Sequence, residues 1–280
     1  MPSAVSLSPA GETARRQDPD RFLAALTAPA DRREHLFAVL AFEHEIARTR
    51  EVVSEPVLGE IRLQWWADMV AEIAVGGGAR PPEPLAALRA AVAEGGVPPA
   101  VLAAMVEGRR RDLEEGPPAT LDALEDYARA TGGAVGRALA AALGQGAAAG
   151  AAVEVGTGWA LTGILRALPF RTRHNEVFLP TEALAAAGLT PHSVAAGRGG
   201  AGLAGIVRQV AARAEARFAA ARAERPPAGL RPALLPARLA RVHLARLAAA
   251  GHDPFAPALA RPDGLRALRV AWGSWTGRWW

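Results

Sequence analysis

The residues of this chain whose types and spacing could do chemistry gather in one short pattern, AFEHEIARTREVV, residues 41–53. At 100° per residue, Leu40, His44, Ala47 and Glu51 share one helical face, and Phe37, Ala41, His44 and Arg48 share an overlapping one. The titratable groups therefore point toward whatever this helix packs against. A buried pocket, a partner surface and a snorkelling edge each account for that. Elsewhere much chemistry is excluded. With no Cys there is no disulfide, thiol nucleophile or thiolate metal site. The six His form neither HExxH nor any other paired spacing, so no metal site is predicted. GQGAAAG at 144–150 has the wrong spacing for a dinucleotide loop, and no strand precedes it. Gly132, Gly133 and Gly136 lie along one helical side, where small residues admit either a second backbone or a ligand.

These residues need helices to hold them, and the composition supplies helix formers. Ala and Leu dominate, aromatic content is 5% and β-branched residues are sparse, which predicts an all-α protein. All 32 basic residues are Arg, and the net charge of +4 permits anionic lipid or phosphate ligands without requiring them. The arginines are spread over many helices without interleaved aromatics, which argues against nucleic acid. No run of about 18 apolar residues marks a membrane span, and no charged n-region precedes an apolar h-region. The expectation is a cytoplasmic protein, at most peripheral at the inner face of a membrane.

Residues 1–18 are polar and unpatterned, and are expected to form a flexible tail before a helical domain over 19–280. Asp31 and Glu34 have capping-box spacing and predict a helix running to about Val53. Glu55-Pro56 breaks it. A second helix carries Ile61, Leu63, Trp65, Trp66 and Met69 up to a GGGARPPEP linker at 76–84, and the two helices are expected to form an antiparallel pair. Neighbouring positions cannot point the same way, so one of Trp65 and Trp66 belongs in the core and the other at an edge open to a partner. Further helices are predicted near 84–94, 98–115, 153–168 ending at Pro169, 203–223 and 231–250. In the final AWGSWTGRWW, Trp272, Trp275 and Trp279 fall on one helical face. That face either closes the core or, with Arg266, Arg269 and Arg278, docks on an anionic membrane.

Taken in order, these segments resemble the squalene/phytoene synthase family from about residue 20 to 272. LTGILRALPFRTRHNEVFLPTEALAAAGLT, residues 161–190, follows the family pattern LTNxLRDxxEDxxRGRxYLPxxxLxxxGL without a gap. EDYARATGGAVG is similar to the family's YxxxxAGxVG, which places Tyr127 and Gly133 among its ligand-facing positions. The resemblance implies a single all-α domain of the isoprenoid synthase type, a helical bundle around a central cavity. Its enzymes condense two prenyl diphosphates head to head with Mg²⁺ held by two aspartate-rich helices.

Here the register puts Ala47, Arg48 and Glu51 at the first DDxxD, and Ala167, Phe170 and Arg171 at the second motif. Five of six carboxylates are replaced, so no catalytic residue and no metal or other cofactor are expected. His44, Arg48, Glu51, Tyr127, Gly133, Arg166, Arg171 and Arg173 remain candidates to line a ligand site, since guanidinium groups grip diphosphate. The segment SEPVLGEIRLQWW resembles a non-synthase branch that includes complex I assembly factors. The resemblance then implies a binding or assembly role, with respiratory complex I subunits or assembly intermediates as partners. Two other readings stand beside it: an active Mg²⁺-dependent prenyl transferase, and an isoprenoid or lipid carrier that touches a membrane.

Overall fold

The computed structural model describes residues 6–53, 55–76, 87–114 and 116–280. Prolines and hydroxyl caps cut this sequence into helices. In chain order they are α1 (Pro9–Gln17), α2 (Pro19–Ala25), α3 (Ala30–Ala47), the single turn α4 (Thr49–Val52), α5 (Pro56–Ala74), α6 (Leu88–Ala93), α7 (Pro99–Arg110) and α8 (Leu121–Ala128). There follow α9 (Ala134–Ala142), α10 (Gly150–Arg171), α11 (Thr181–Ala186), α12 (Pro191–Ala195), α13 (Gly200–Ala223), α14 (Arg231–Leu234), α15 (Pro236–Ala249) and α16 (Arg266–Thr276). Among the described residues there is no strand, as the composition predicted. Helices α1, α2, α5, α7, α12 and α15 each begin on proline, whose fixed φ and missing N–H suit the first helical position.

The core is built on α10, which packs against α13, α9, α8 and α15. Its buried residues, among them Val155, Thr157, Leu161, Thr162, Leu165 and Leu168, lie all round the helix, which marks it as a central helix with no solvent face over most of its length. Thr157 and Thr162 satisfy their hydroxyls internally, donating to the carbonyls of Val153 and Gly158 at 2.8 Å. A π-helical turn, Arg129–Gly133, joins α8 to α9 against this helix. A Cβ on Gly132 would collide with the carbonyl of Gly156, and one on Gly136 with that of Ala152. The glycine stripe read from the sequence is thus a backbone-to-backbone contact, and Gly133 faces Thr157 and Val153 of the same helix.

Several expectations are corrected. The tail is not loose from residue 9 onward: α1 is capped by Ser8, whose hydroxyl accepts from Gly11, and it buries Ala10 and Ala14 against α3. Residues 1–5 lie outside the described residues, as does all of the 76–84 linker beyond Gly76. The Asp31–Glu34 capping box does not form; α3 starts after Pro29, and Glu34 instead accepts from the Ser8 hydroxyl at 2.6 Å. The helix also stops at Ala47, Arg48 takes ψ 0° and the single turn α4 follows from Thr49. Helix α5 has α7 as its main neighbour rather than α3, which it meets through Phe42 and Trp66. Pro169 does not end α10; it sits in the last turn, and the chain leaves at Asn175 in a left-handed conformation. The 231–250 helix is two, divided at Leu235-Pro236.

The close approach at α10 gives a paired test. Gly136→Ala should lower the melting temperature, with a cost of about 1–3 kcal/mol for overpacking a backbone contact. Gly163→Ala on α10, where a Cβ meets nothing within 4 Å, should raise stability by about 0.5–1 kcal/mol through helix propensity. Thermal unfolding followed by circular dichroism reads both.

Candidate functional site

A largely buried cluster of charged groups lies one residue away from the stripe picked out in the sequence. Glu43, on the inner side of α3, is shared by two arginines. Arg21 of α2 donates to its Oε2 at 3.2 Å, and Arg109 of α7 donates to its Oε1 at 2.8 Å. Arg21 also pairs with Asp18, which caps α2 by accepting from the Arg21 amide at 3.0 Å. Arg109 reaches on to Asp112 at 3.2 Å, Asp112 accepts from the Tyr127 hydroxyl at 2.6 Å, and Arg50 donates to the Asp112 carbonyl at 2.9 Å. The Tyr127 ring packs at a tilt of 59° on Phe178, 4.9 Å between centroids, and Arg171 lies 5.7 Å over the Phe178 ring.

This ladder sets its own protonation. Burial alone would raise the Glu43 carboxyl, but Arg21 and Arg109, helped by His44, hold it below its ordinary value. Burial would likewise lower both arginines, and their carboxylate partners raise them instead. The Tyr127 phenol is pushed up, by burial first and with Asp112 adding to it against Arg109 and Arg171, so it stays a neutral donor. Three carboxylates and two buried arginines would leave one negative charge, and Arg50 stands beside it. Every carboxylate of the ladder is already taken.

Most of the sequence candidates make their contacts outside this ladder. His44 and Ala47 are half-buried, and Glu51 is exposed on α4. Arg48 pairs with Glu45 at 3.4 Å, one turn back on its own helix. Burial falls steadily along the stripe, from Leu40 in the core through half-buried His44 and Ala47 to exposed Glu51. On α10, Ala167 is half-buried and Phe170 is 64% exposed. Arg166 pairs with Asp20 at 3.2 Å and stacks on Trp159. Arg171 lies 3.8 Å from Glu176, and Arg173 stacks on Phe170. Of the candidates, only Tyr127 is bonded into the ladder, with Arg171 at its rim. Arg21, Glu43, Arg109 and Asp112 were missed; the available signal was the charge alternation in FEHE and RRRD on otherwise apolar helices.

The tryptophans divide. Trp66 is 2% exposed and packs edge-on to Phe42 at 5.7 Å, whereas its neighbour Trp65 is 48% exposed, the one-in, one-out arrangement expected of adjacent positions. Trp272 and Trp275 point outward from α16. Trp279 does not share their face, because Gly277 takes a left-handed φ of 74° and turns the chain back toward the body.

The sequence model of squalene/phytoene synthases matches residues 14–276 of this chain. The chain belongs to the squalene/phytoene synthase family. Within the curated proteins, it is similar to NADH dehydrogenase (ubiquinone) complex I, assembly factor 6, of Mus musculus and Bos taurus. The identities are 26% and 27% over 273 residues, covering 96% of this chain and 81% of each relative. Among solved structures it is similar to a dehydrosqualene synthase in complex with ligand, at 18% identity and TM-score 0.80, covering 96% of this chain and 94% of that one. It is also similar to squalene synthase HpnC from Alicyclobacillus acidocaldarius, at 20% identity and TM-score 0.76, covering 88% and 94%. These structures share the fold of the family, an all-α single domain.

Membership raises the question of Mg²⁺, which takes hard oxygen ligands. The motif positions offer two alanines, a phenylalanine, two arginines and the exposed Glu51. Glu43 and Asp112, the carboxylates of the ladder's centre, are held by arginine and tyrosine donors. Among the described residues no group of three or more His, Asp or Glu is placed to share an ion. The residues of this family member do not fit the Mg²⁺ cluster. The void between α2, α3, α9 and α14, bounded by Arg21, Leu36, Leu40 and Leu139, holds about 10 Å³, room for one water at most.

Two measurements check this picture. Glu43→Leu leaves Arg21 and Arg109 buried without their common acceptor and should cost about 3–5 kcal/mol, read by urea unfolding; a change under 1 kcal/mol would show the ladder to be dispensable. His243 on α15 is held down to about 4 by burial and by Arg166 and Arg246. Between pH 6.5 and 4 the unfolded chain therefore takes up a proton that the folded chain refuses. This part of the stability is complete above pH 6.5 and falls as the pH drops toward 4. His243→Gln should flatten the melting-temperature profile across that window.

Proposed function

We propose that this chain is a non-synthase member of its family that serves as a docking factor in the assembly of respiratory complex I. The observation that carries the reading is the occupancy of its carboxylates. Condensing prenyl diphosphates requires the leaving diphosphate's charge to be neutralised, and binding that anion through arginines alone, without stabilising its departure, does not accelerate ionisation. The assembly role is supported by the relatives named as complex I assembly factor 6, which this chain matches over 96% of its length.

The docking face in this reading is α5. Leu63, Trp66, Met69, Val70 and Ile73 bury one side of it, while Val57, Leu58, Ile61 and Trp65 leave an apolar stripe in solvent on the other. Such a stripe costs solubility unless a partner covers it. Residues 51–76 carry five acidic residues against one arginine, so the stripe suits a protein partner with a basic rim and would be repelled by an anionic bilayer.

Two arms test the proposal. Purified protein given farnesyl or geranylgeranyl diphosphate with Mg²⁺ should release no pyrophosphate above the protein-free control; steady turnover lost on Glu51→Gln would overturn the non-synthase reading. In cells lacking this gene, the wild-type chain should restore assembled complex I on native gels and NADH:ubiquinone activity. Ile61→Glu with Trp65→Ala, both outward-facing, should fold normally and restore less than about a tenth as much, as expected for truncated hot-spot residues. Full restoration by that variant would remove α5 from the docking role.

A further inference from the structure

From the outer face of α16 we infer a membrane-docking surface whose occupant is an anionic lipid bilayer. The inference stands on the structure of the C-terminal region and does not rest on the assembly reading.

Leu265, Leu268, Trp272 and Trp275 follow i, i+3, i+7, i+10 spacing and share one face of the helix. All four are exposed, Trp275 at 79%, while Val270 and Gly273 are buried on the inner side. The Trp272 and Trp275 rings meet edge to face at 5.5 Å and form one wall of an open groove of about 470 Å³, whose rim includes Arg238 and Arg269. An apolar body with an indole N–H suits the headgroup level of a bilayer, where the ring is buried and the N–H stays wet.

Charge selects the bilayer over an apolar protein groove. Residues 231–280 contain eight arginines and two aspartates, a net +6, although the whole chain carries only +4. The remainder of the chain is therefore net negative, and the excess of positive charge lies in its last fifty residues. Arg266 sits 3.6 Å from Asp20, which it shares with Arg166, so one carboxylate answers two cations. Arg269 pairs with Asp263 at 3.1 Å. The field of Arg166 and Arg246 is felt at His243, whose protonation they oppose. Lipid phosphates offer acceptors to the arginines that line the groove beside the tryptophans, Arg238 of α15 and Arg269 of α16. No described helix is long and apolar enough to cross a membrane, so a helix of this kind would lie in the interface.

The helix is also held from behind in its docking geometry. Arg231 donates to the Ser274 carbonyl at 2.7 Å and Arg238 to the Arg278 carbonyl at 2.9 Å. Gly273 lets α16 lie close on α15, where a Cβ would stand 2.8 Å from Leu235. Trp280 lies 4.2 Å over Arg241 and 5.4 Å over Arg222, fixing the chain beyond Gly277.

Co-sedimentation of the full chain with vesicles tests the inference. The chain should bind vesicles of equimolar phosphatidylcholine and phosphatidylglycerol, bind pure phosphatidylcholine weakly, and lose binding as salt shortens the Debye length. Trp272→Ala with Trp275→Ala should reduce partitioning about tenfold, and Arg269→Gln about fivefold, with Trp65→Ala unchanged. Both indole rings are exposed, so the melting temperature should hold; if it falls, Leu268→Gln, which also points outward, makes the same test. Equal binding to neutral and anionic vesicles, or wild-type binding by the double variant, overturns the inference. So does a concentration-dependent dimer in sedimentation velocity that the double variant abolishes, because the occupant is then a second copy. Complex I assembly is not read in this experiment, so its failure is separate from failure of the assembly reading.

Discussion

A single carboxylate, Glu43, holds the front of the molecule together by accepting from two arginines that reach it from different helices. Each of the three charges would be costly to bury alone, and each is tolerated because the other two are present. The geometry admits little variation: Asp18 orients Arg21 while capping α2, and Asp112 orients Arg109 while receiving Tyr127. Helices α2, α3, α7 and α8 are thereby tied to one another by polar contacts as well as apolar ones such as Phe22 on Phe37, whereas α10 is held by close packing along its length, with Glu154 paired to Arg129 and Arg217. The carboxylates of the ladder are neutralised by arginines within the protein's own walls.

The two halves differ in how they resist change. Around α10 the backbones of Gly132 and Gly156 approach so closely that no side chain can be introduced, a steric condition that depends neither on pH nor on salt. The Glu43 ladder depends on protonation, since Glu43 is held ionised by Arg21 and Arg109.

The fold was legible in the sequence because helix periodicity and proline punctuation are local signals, and because the gapless block at 161–190 fixed the family. The alternation of Trp65 and Trp66 was legible for the same local reason. The losses came where tertiary contacts outcompeted local ones. Glu34 was claimed by Ser8 from another helix, so the capping box it spelled with Asp31 never formed. Ala10 and Ala14 are too small to stand out as an apolar stripe, yet their smallness is what lets α1 pack on α3. The helical wheel drawn through residues 40–51 ran past the end of α3 at Ala47, and it passed over Glu43, the acid that two arginines hold.

The left-handed turn at Gly277 separates the four C-terminal tryptophans into a pair that looks outward and a pair that clamps. Many amphipathic segments are unfolded in water and become helical only on contact, so each encounter carries the loss of backbone freedom. Helix α16 has already lost that freedom, within the fold. Whatever surface it meets is presented with a finished template, and the speed of capture is then governed by diffusion and long-range charge, with no folding step interposed.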